Sequence, residues 1–217
     1  MFSDKLIQIL SEYHLLKHPF YQSWNDGSLE ISMLQHYAKQ YFKNVDAFPR
    51  YLSGVHSQCT SKEARKILLE NLIDEERGDE DHPELWLRFA QSLGVARGDV
   101  INSKPDDKTQ KLVSGFLDLV KSSYASGLGA LFAYEQQVPE IAASKIDGLK
   151  KFYNYQETNS GLKFFNVHVK ADEWHAKECA DLLNQLNHKE QEIALESAVK
   201  VAKLLWGFLD GIYYSKQ

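Results

Sequence analysis

Residues 165–182 read FNVHVKADEWHAKECADL, a stretch with a helical period whose inward face is not purely apolar. Steps of three and four residues place six side chains on one helix face: Phe165, His168, Asp172, His175, Cys179 and Leu182. A globular protein normally fills such a face with aliphatic side chains. Burying a carboxylate between two imidazoles is unfavourable unless the charge has a partner. Because a bound cation provides that partner, the stretch predicts a metal-binding core helix.

The rest of the chain also has helical periodicity. A kink or break is expected at Pro49, and Thr60 with Glu63 forms a predicted capping box. The expected helices span 3–16, 32–57, about 60–78, 84–94, one or two within 108–154, 160–186 and 189–214, with a polar loop over 97–107. No stretch alternates as a strand does, and no repeat is present. The sequence predicts a single all-α domain, residues 1–217, of seven or eight helices.

Composition excludes several classes of function. The 217 residues are 43% hydrophobic and 25% charged, which is typical of a folded domain. With 25 basic and 30 acidic residues, the chain has no positive surplus for binding nucleic acid. It has no apolar run of membrane-spanning length and no signal-peptide pattern at its start. The two cysteines are too few for a disulfide framework, so we expect a cytoplasmic protein.

Two other segments have polar residues at core positions. In the first, Glu75 falls on the same face as Ala64, Leu68 and Asn71. His82 follows seven residues later, directly before Pro83, and we expect it at a helix break that faces the same cavity. In the second segment, one face carries Leu128, Leu131, Glu135, Val138, Ala142 and Lys145. Glutamate and lysine are rarely buried without partners, so both segments indicate a site.

Together the three segments provide three carboxylates and three imidazoles, namely Glu75, His82, Glu135, His168, Asp172 and His175. Mixed nitrogen and oxygen donors suit iron or manganese, and three negative charges offset most of the charge of two divalent ions. A dinuclear site inside a helical bundle is the leading interpretation. The alternatives are a mononuclear site built on the C-terminal triplet, glutamates that pair with buried cations, and a local pair between Asp79 and His82. The pattern differs from ferritin, which has two Glu-x-x-His motifs.

Several segments resemble a known family: HPFYQSW (18–24), QHYAKQYFKNVDAFPRYLSGVHSQC (35–59), EARKILLENLIDEERG (63–78), AYEQQVPEIAASKIDGL (133–149) and WGFLDGIYY (206–214). They are similar to the chlamydial protein associating with death domains and its bacterial relatives. That family has the haem-oxygenase-like fold, together with the TenA thiaminases and the pyrroloquinoline-quinone synthases. The resemblance covers nearly the whole chain, and all six candidate ligands match the family's metal ligands.

The resemblance implies an O2-dependent enzyme that makes 4-aminobenzoate for folate from its own side chains. It implies an Fe/Fe or Fe/Mn pair as cofactor, with O2 as co-substrate and an external reductant. Tyr21 matches the tyrosine that provides the ring, and Lys145 matches the lysine that provides nitrogen. Tyr37 and Tyr134 match other family tyrosines, which serve as radical relays or cavity walls.

The resemblance also implies a homodimer and a bacterial cytoplasmic location, and export without a cleaved signal is compatible with the sequence. A different function is binding to a host death-domain protein. A third is a metal-independent enzyme of the TenA or quinone-synthase type. This last is disfavoured because the segment AYEQQVPEIAAS lacks the nucleophilic cysteine of the thiaminases, and because cofactor-free chemistry does not need six metal ligands.

Overall fold

The computed structural model describes residues 1–215, and it describes the side chains of 1–169 and 174–215. This part of the chain contains no strand and three short 3-10 helices at 11–13, 15–17 and 160–162. Its α-helices are α1 (Phe2–Leu10), α2 (Pro19–Asp26), α3 (Ile31–Gln58), α4 (Lys62–Glu76), α5 (His82–Ser92), α6 (Arg97–Ile101), α7 (Asp107–Ser122), α8 (Tyr124–Glu135), α9 (Val138–Phe152), α10 (Lys163–Asn184) and α11 (His188–Tyr213).

The all-α prediction is confirmed, but the described residues contain eleven α-helices instead of seven or eight. The expected loop after Arg97 begins with the short helix α6, and residues 107–152 form three helices. The predicted N-cap at Thr60 is wrong by one residue. Ser61 is the N-cap, and its side chain accepts a hydrogen bond from the backbone N–H of Ala64. The helix α3 continues through Pro49, so the chain has no break there.

Helix α8 is the central element of the fold. Every residue from Ala125 to Glu135 is buried, and the helix contacts α3, α7, α10 and α11. Small side chains make this possible: a Cβ added at Gly129 would lie only 2.1 Å from the carbonyl oxygen of Ala194 in α11. The two backbones therefore approach as closely as a glycine allows.

The candidate ligands come from four helices that meet around the end of α8. Helices α4 and α5 carry Glu75 and His82, α8 ends at Glu135, and α10 carries the C-terminal triplet. The buried residues of α4 are Ala64, Leu68, Asn71 and Glu75, as its sequence pattern predicts. No described helix combines the length and apolar character that crossing a bilayer requires.

Candidate metal centre and the adjoining cavity

Three of the six predicted ligands form a compact buried group. One ligand atom from each of Glu75, His82 and His168 lies within 4.8 Å of the other two. All three residues are buried, and the imidazole rings of His82 and His168 are 4.4 Å apart between centroids. The structure therefore brings together residues of α4, α5 and α10 that are up to 93 positions apart in the chain.

The hydrogen bonds of this group leave lone pairs directed inward. Nδ1 of His168 lies 2.6 Å from the backbone carbonyl of Phe164, to which it donates, so Nε2 carries the free lone pair. Nδ1 of His82 lies 2.7 Å from Oε2 of Glu75. The contact does not have the geometry of a hydrogen bond, but it is an ion pair. Burial opposes a charge on His82, yet the Glu75 carboxylate raises its pKa, so the two atoms together favour a positive charge between them. A metal ion bound by the same two atoms would supply that charge.

Glu135 and His175, two further predicted ligands, line one small cavity. Oε1 of Glu135 accepts a hydrogen bond of 2.8 Å from Asn71, but Oε2 has no hydrogen-bond partner. Burial raises the pKa of Glu135 to about 8. Nδ1 of His175 is also buried without a hydrogen-bond partner, while Nε2 lies 3.1 Å from Oδ2 of Asp74. The predicted ligand Asp172 lies outside the described side chains.

These residues fit the iron or manganese that the sequence predicts. Buried polar atoms without hydrogen-bond partners are unfavourable and uncommon in folded proteins. Here three of them belong to predicted ligands, His82, Glu135 and His175. Nitrogen and carboxylate oxygen together match the ligand preferences of iron and manganese. The competing pair of Asp79 with His82 is disfavoured because Asp79 is exposed to solvent.

An internal cavity adjoins the centre, and three of the four other predicted site residues line it. It is small, ≈ 20 Å³, with room for about one water molecule, and Tyr21, Tyr134, Lys145 and His168 all contribute to its wall. Tyr21 is 2% exposed and Lys145 is 4% exposed, so both side chains are shielded from bulk solvent. Lys145 therefore does not extend to the surface, and a single cavity joins it to a candidate metal ligand.

Tyr21, Tyr37 and Lys145 form a hydrogen-bonded set that we call the lysine–tyrosine cluster. Nζ of Lys145 donates to Oη of Tyr37 over 2.8 Å, and Oη of Tyr37 lies 3.3 Å from Oη of Tyr21. Burial raises the pKa of both tyrosines, so both phenols are protonated. Burial lowers the pKa of Lys145 to about 7, which makes a large fraction of its amine neutral near physiological pH.

The break between α8 and α9 explains how Glu135 and Lys145 reach one site. On a straight helix their ten-residue separation would place them about 15 Å apart. The chain leaves α8 after Glu135 and begins α9 at Val138. Gln137 holds this break, because its amide donates to the carbonyl of Ala133 and accepts from the backbone N–H of Leu15.

Sequence reasoning missed Tyr41 and Asn71 as members of the site. The ring of Tyr41 stacks on Tyr37 at 5.3 Å, and its hydroxyl lies 2.8 Å from that of Tyr134. Its position four residues after Tyr37 on α3 was the available signal. Asn71 shares the buried face of Glu75, but nothing in the sequence indicated that it bonds to Glu135 in another helix.

Comparison with known proteins agrees with this geometry. Residues 35–206 match the family of iron-containing redox enzymes with the haem-oxygenase-like fold. The chain belongs to this family. It is therefore an enzyme, and the matched region contains all six predicted ligands.

Curated relatives are similar in sequence to this protein over nearly its whole chain. The 4-aminobenzoate synthase of Chlamydia muridarum is 39% identical, covering 96% of this chain and 89% of the relative. The 4-aminobenzoate synthase of Nitrosomonas europaea is also 39% identical, covering 98% and 91%. A pyrroloquinoline-quinone synthase of Acidiphilium cryptum is 23% identical over 94% of this chain and 85% of its own length.

Two solved structures confirm the haem-oxygenase-like fold. A TenA homologue from Pseudomonas syringae has a TM-score of 0.83 at 18% identity, covering 98% of this chain and 92% of its own. A protein from Nostoc punctiforme, described as similar to the chlamydial death-domain-associating protein, has a TM-score of 0.81 at 16% identity, covering 97% and 95%. At these identities the likeness concerns the fold alone.

Proposed function

We propose that this enzyme makes 4-aminobenzoate in an O2-dependent reaction at a dinuclear Fe/Fe or Fe/Mn centre. In this proposal Tyr21 provides the aromatic ring, Lys145 provides the amino nitrogen, and an external reductant supplies electrons. The relatives at 39% identity carry the name of this activity. The observation that carries the proposal is the lysine–tyrosine cluster, which lies beside a cavity lined by a candidate metal ligand.

The residues of the chain have distinct roles in this proposal. Glu75, His82, Glu135, His168, Asp172 and His175 would hold the two ions, which supply oxidation chemistry with O2 that amino acid side chains lack. Nζ of Lys145 lies 5.5 Å from the centre of the Tyr21 ring, so the nitrogen donor and the ring are already adjacent. The lowered pKa leaves Lys145 with a lone pair, which nitrogen transfer requires.

Tyr37 connects the two reacting side chains. Its hydroxyl accepts from Lys145 and lies within hydrogen-bond distance of Tyr21, so it can pass a proton between Nζ and the phenol. Tyr134 and Tyr41 form a second hydroxyl pair, and Tyr41 stacks on Tyr37. We propose that these tyrosines move protons and electrons between the cavity and the cluster.

Isotope labelling tests the proposal directly. Protein made with ring-¹³C tyrosine and side-chain-¹⁵N lysine is supplied with ferrous iron, O2 and a chemical reductant, and the product is analysed by mass spectrometry. We expect 4-aminobenzoate that carries both labels, and at least tenfold less of it from Tyr21→Phe. The matched control is Tyr51→Phe, since Tyr51 is fully buried but bonds to Asn44 away from the cluster. Unlabelled product, or an undiminished yield from Tyr21→Phe, would contradict the assignment.

The predicted partners stay predictions. Sedimentation at several protein concentrations would test the homodimer. A binding assay with purified death domains, using both the wild type and a His168→Ala variant, would test the interaction function separately from the metal centre. The bacterial cytoplasmic location likewise stays a prediction.

A further inference from the structure

A second, smaller cavity lies between α4, α8 and α10, and no residue of the lysine–tyrosine cluster lines it. Its volume is only ≈ 10 Å³, and its wall includes Asn71, Glu135, His175, Glu178 and Cys179. Glu135 and His175 are predicted ligands, whereas Glu178 has no role in the proposed function. It is the only acidic residue other than Glu135 among the side chains described around this cavity.

Three acceptor atoms at this cavity have no hydrogen-bond partner. They are Oε2 of Glu135, Nδ1 of His175 and Oε2 of Glu178. Glu135 is 3% exposed and His175 is 6% exposed, so bulk water does not hydrogen-bond to their acceptor atoms. Within the described side chains only two other buried polar atoms are unpartnered, one of which is Nδ1 of the predicted ligand His82. The unpartnered atoms are thus concentrated where a cation is expected.

The orientation of His175 shows which nitrogen is available. Nε2 lies 3.1 Å from Oδ2 of Asp74, an arrangement in which the imidazole donates its proton outward. Nδ1 then has a lone pair that points toward Glu178, and its distance to Oε2 of Glu178 is 3.6 Å. This is too long for a hydrogen bond. Two ligands about 2.1 Å from one ion lie about 3.0–3.4 Å apart, so a small movement brings both atoms into one coordination sphere.

We infer that Glu178 is a further ligand of the ion held by Glu135 and His175, so that the centre has a seventh ligating side chain. The inference rests on the proposed dinuclear site. Glu178 lies three residues after His175, which places both side chains on the same face of α10. Glu178 would be the fourth carboxylate, beside Glu75, Glu135 and the predicted ligand Asp172. Four negative charges would balance the four positive charges of two divalent ions.

Manganese binding to the metal-free protein tests the inference. Under anaerobic conditions, the free Mn²⁺ signal in electron paramagnetic resonance gives the number of bound ions and their affinities. We expect wild-type protein to bind two ions per chain. Glu178→Gln should bind the first ion as wild type does and the second at least tenfold more weakly. Glu178→Asp keeps the charge but shortens the side chain, and we expect an intermediate loss.

The control is Asp181→Asn, which removes the same charge from an exposed position on the same helix, where Asp181 pairs with Lys177. This variant should bind both ions as wild type does. Two unchanged affinities in Glu178→Gln, or an equal loss in Asp181→Asn, would overturn the inference. Thermal melting distinguishes a ligand role for Glu178 from a role in stabilising the fold. If Glu178 is a ligand, its substitution should not lower the melting temperature of the metal-free protein. A wild type that binds no manganese or iron would instead contradict the proposed function itself.

Discussion

Lys145 is the residue whose surroundings depart most from the usual environment of its type. Among the described side chains, no carboxylate lies within ion-pair distance of its amine. Instead, Nζ lies within 6.0 Å of the centres of six aromatic rings, those of Tyr21, Trp24, Tyr37, Tyr41, Trp86 and Phe165. Aromatic faces stabilise a cation less than water and a carboxylate do, so burial dominates and lowers the pKa to about 7.

The lowered pKa predicts a pH-dependent stability. Between pH 7 and about 10 the unfolded chain holds a proton on Lys145 that the folded protein has released, so the folded state gains stability as pH rises. We expect the free energy of unfolding of the wild type, relative to Lys145→Met, to increase by up to about 1.4 kcal/mol per pH unit between pH 7.5 and 9.5. Urea denaturation at several pH values measures it.

The control for this experiment is Lys111→Met, at an exposed position on α7. Its stability relative to wild type should not change with pH over the same interval. A flat difference between the wild type and Lys145→Met would mean that the amine is protonated in the folded protein. In that case Lys145 would lack the lone pair that nitrogen transfer requires.

Among the helices, α8 controls the geometry of the site, since it lies at the centre and ends on Glu135. Its close approach to α11 depends on Gly129, where an added Cβ would meet the backbone of Ala194. Backbone cannot rotate away as a flexible side chain can. The position of Glu135 relative to α4 and α10 therefore depends on how tightly α8 and α11 pack.

We predict opposite effects for two glycine-to-alanine substitutions in this helix pair. Gly129→Ala should destabilise the protein by about 3 kcal/mol, the upper part of the range for overpacking. Gly207→Ala in α11, where nothing lies within 4 Å of the added Cβ, should stabilise it by up to about 1 kcal/mol. Urea denaturation measures both. Similar effects at the two positions would show that helix propensity, rather than the contact of α8 with α11, determines the result.

At the scale of the whole molecule, buried polar and ionisable side chains lower the stability of the metal-free protein. Glu75, His82, Glu135 and His175 are buried, and several of their acceptors lack partners. A folded bundle with such a centre is less stable than the same bundle with ions bound, because ions bind the folded state and not the unfolded one.

Metal binding should therefore raise the melting temperature. At a free metal concentration 100 times the dissociation constant, the gain is about 2.7 kcal/mol, which corresponds to about 5–10 °C for a chain of this size. Differential scanning calorimetry with and without ferrous iron or manganese measures the shift. The double variant His168→Ala, Asp172→Ala should show almost none. An equal shift in that variant would mean that the ions bind elsewhere.

The helix faces could be predicted because they follow from local periodicity. The buried faces of α4 and α10 include Glu75, His168 and His175 at the positions that steps of three and four residues indicate. Short-range geometry determines which side chains share a face, so spacing alone identified these buried candidate ligands. The number of helices was less predictable. Pro139 marks the break after Glu135, but the break before Tyr124 lacks the glycine or proline that marks other ends.

Contacts between helices were decided only by the tertiary structure. The lysine–tyrosine cluster joins Tyr21 of α2, Tyr37 of α3 and Lys145 of α9, and no local pattern relates these positions. The acceptors without partners at Glu135 and Glu178 are also visible only in three dimensions, because a missing hydrogen bond depends on every neighbour. Local sequence determines which face a residue occupies, whereas packing determines what that face meets, and the proposed chemistry depends on the second.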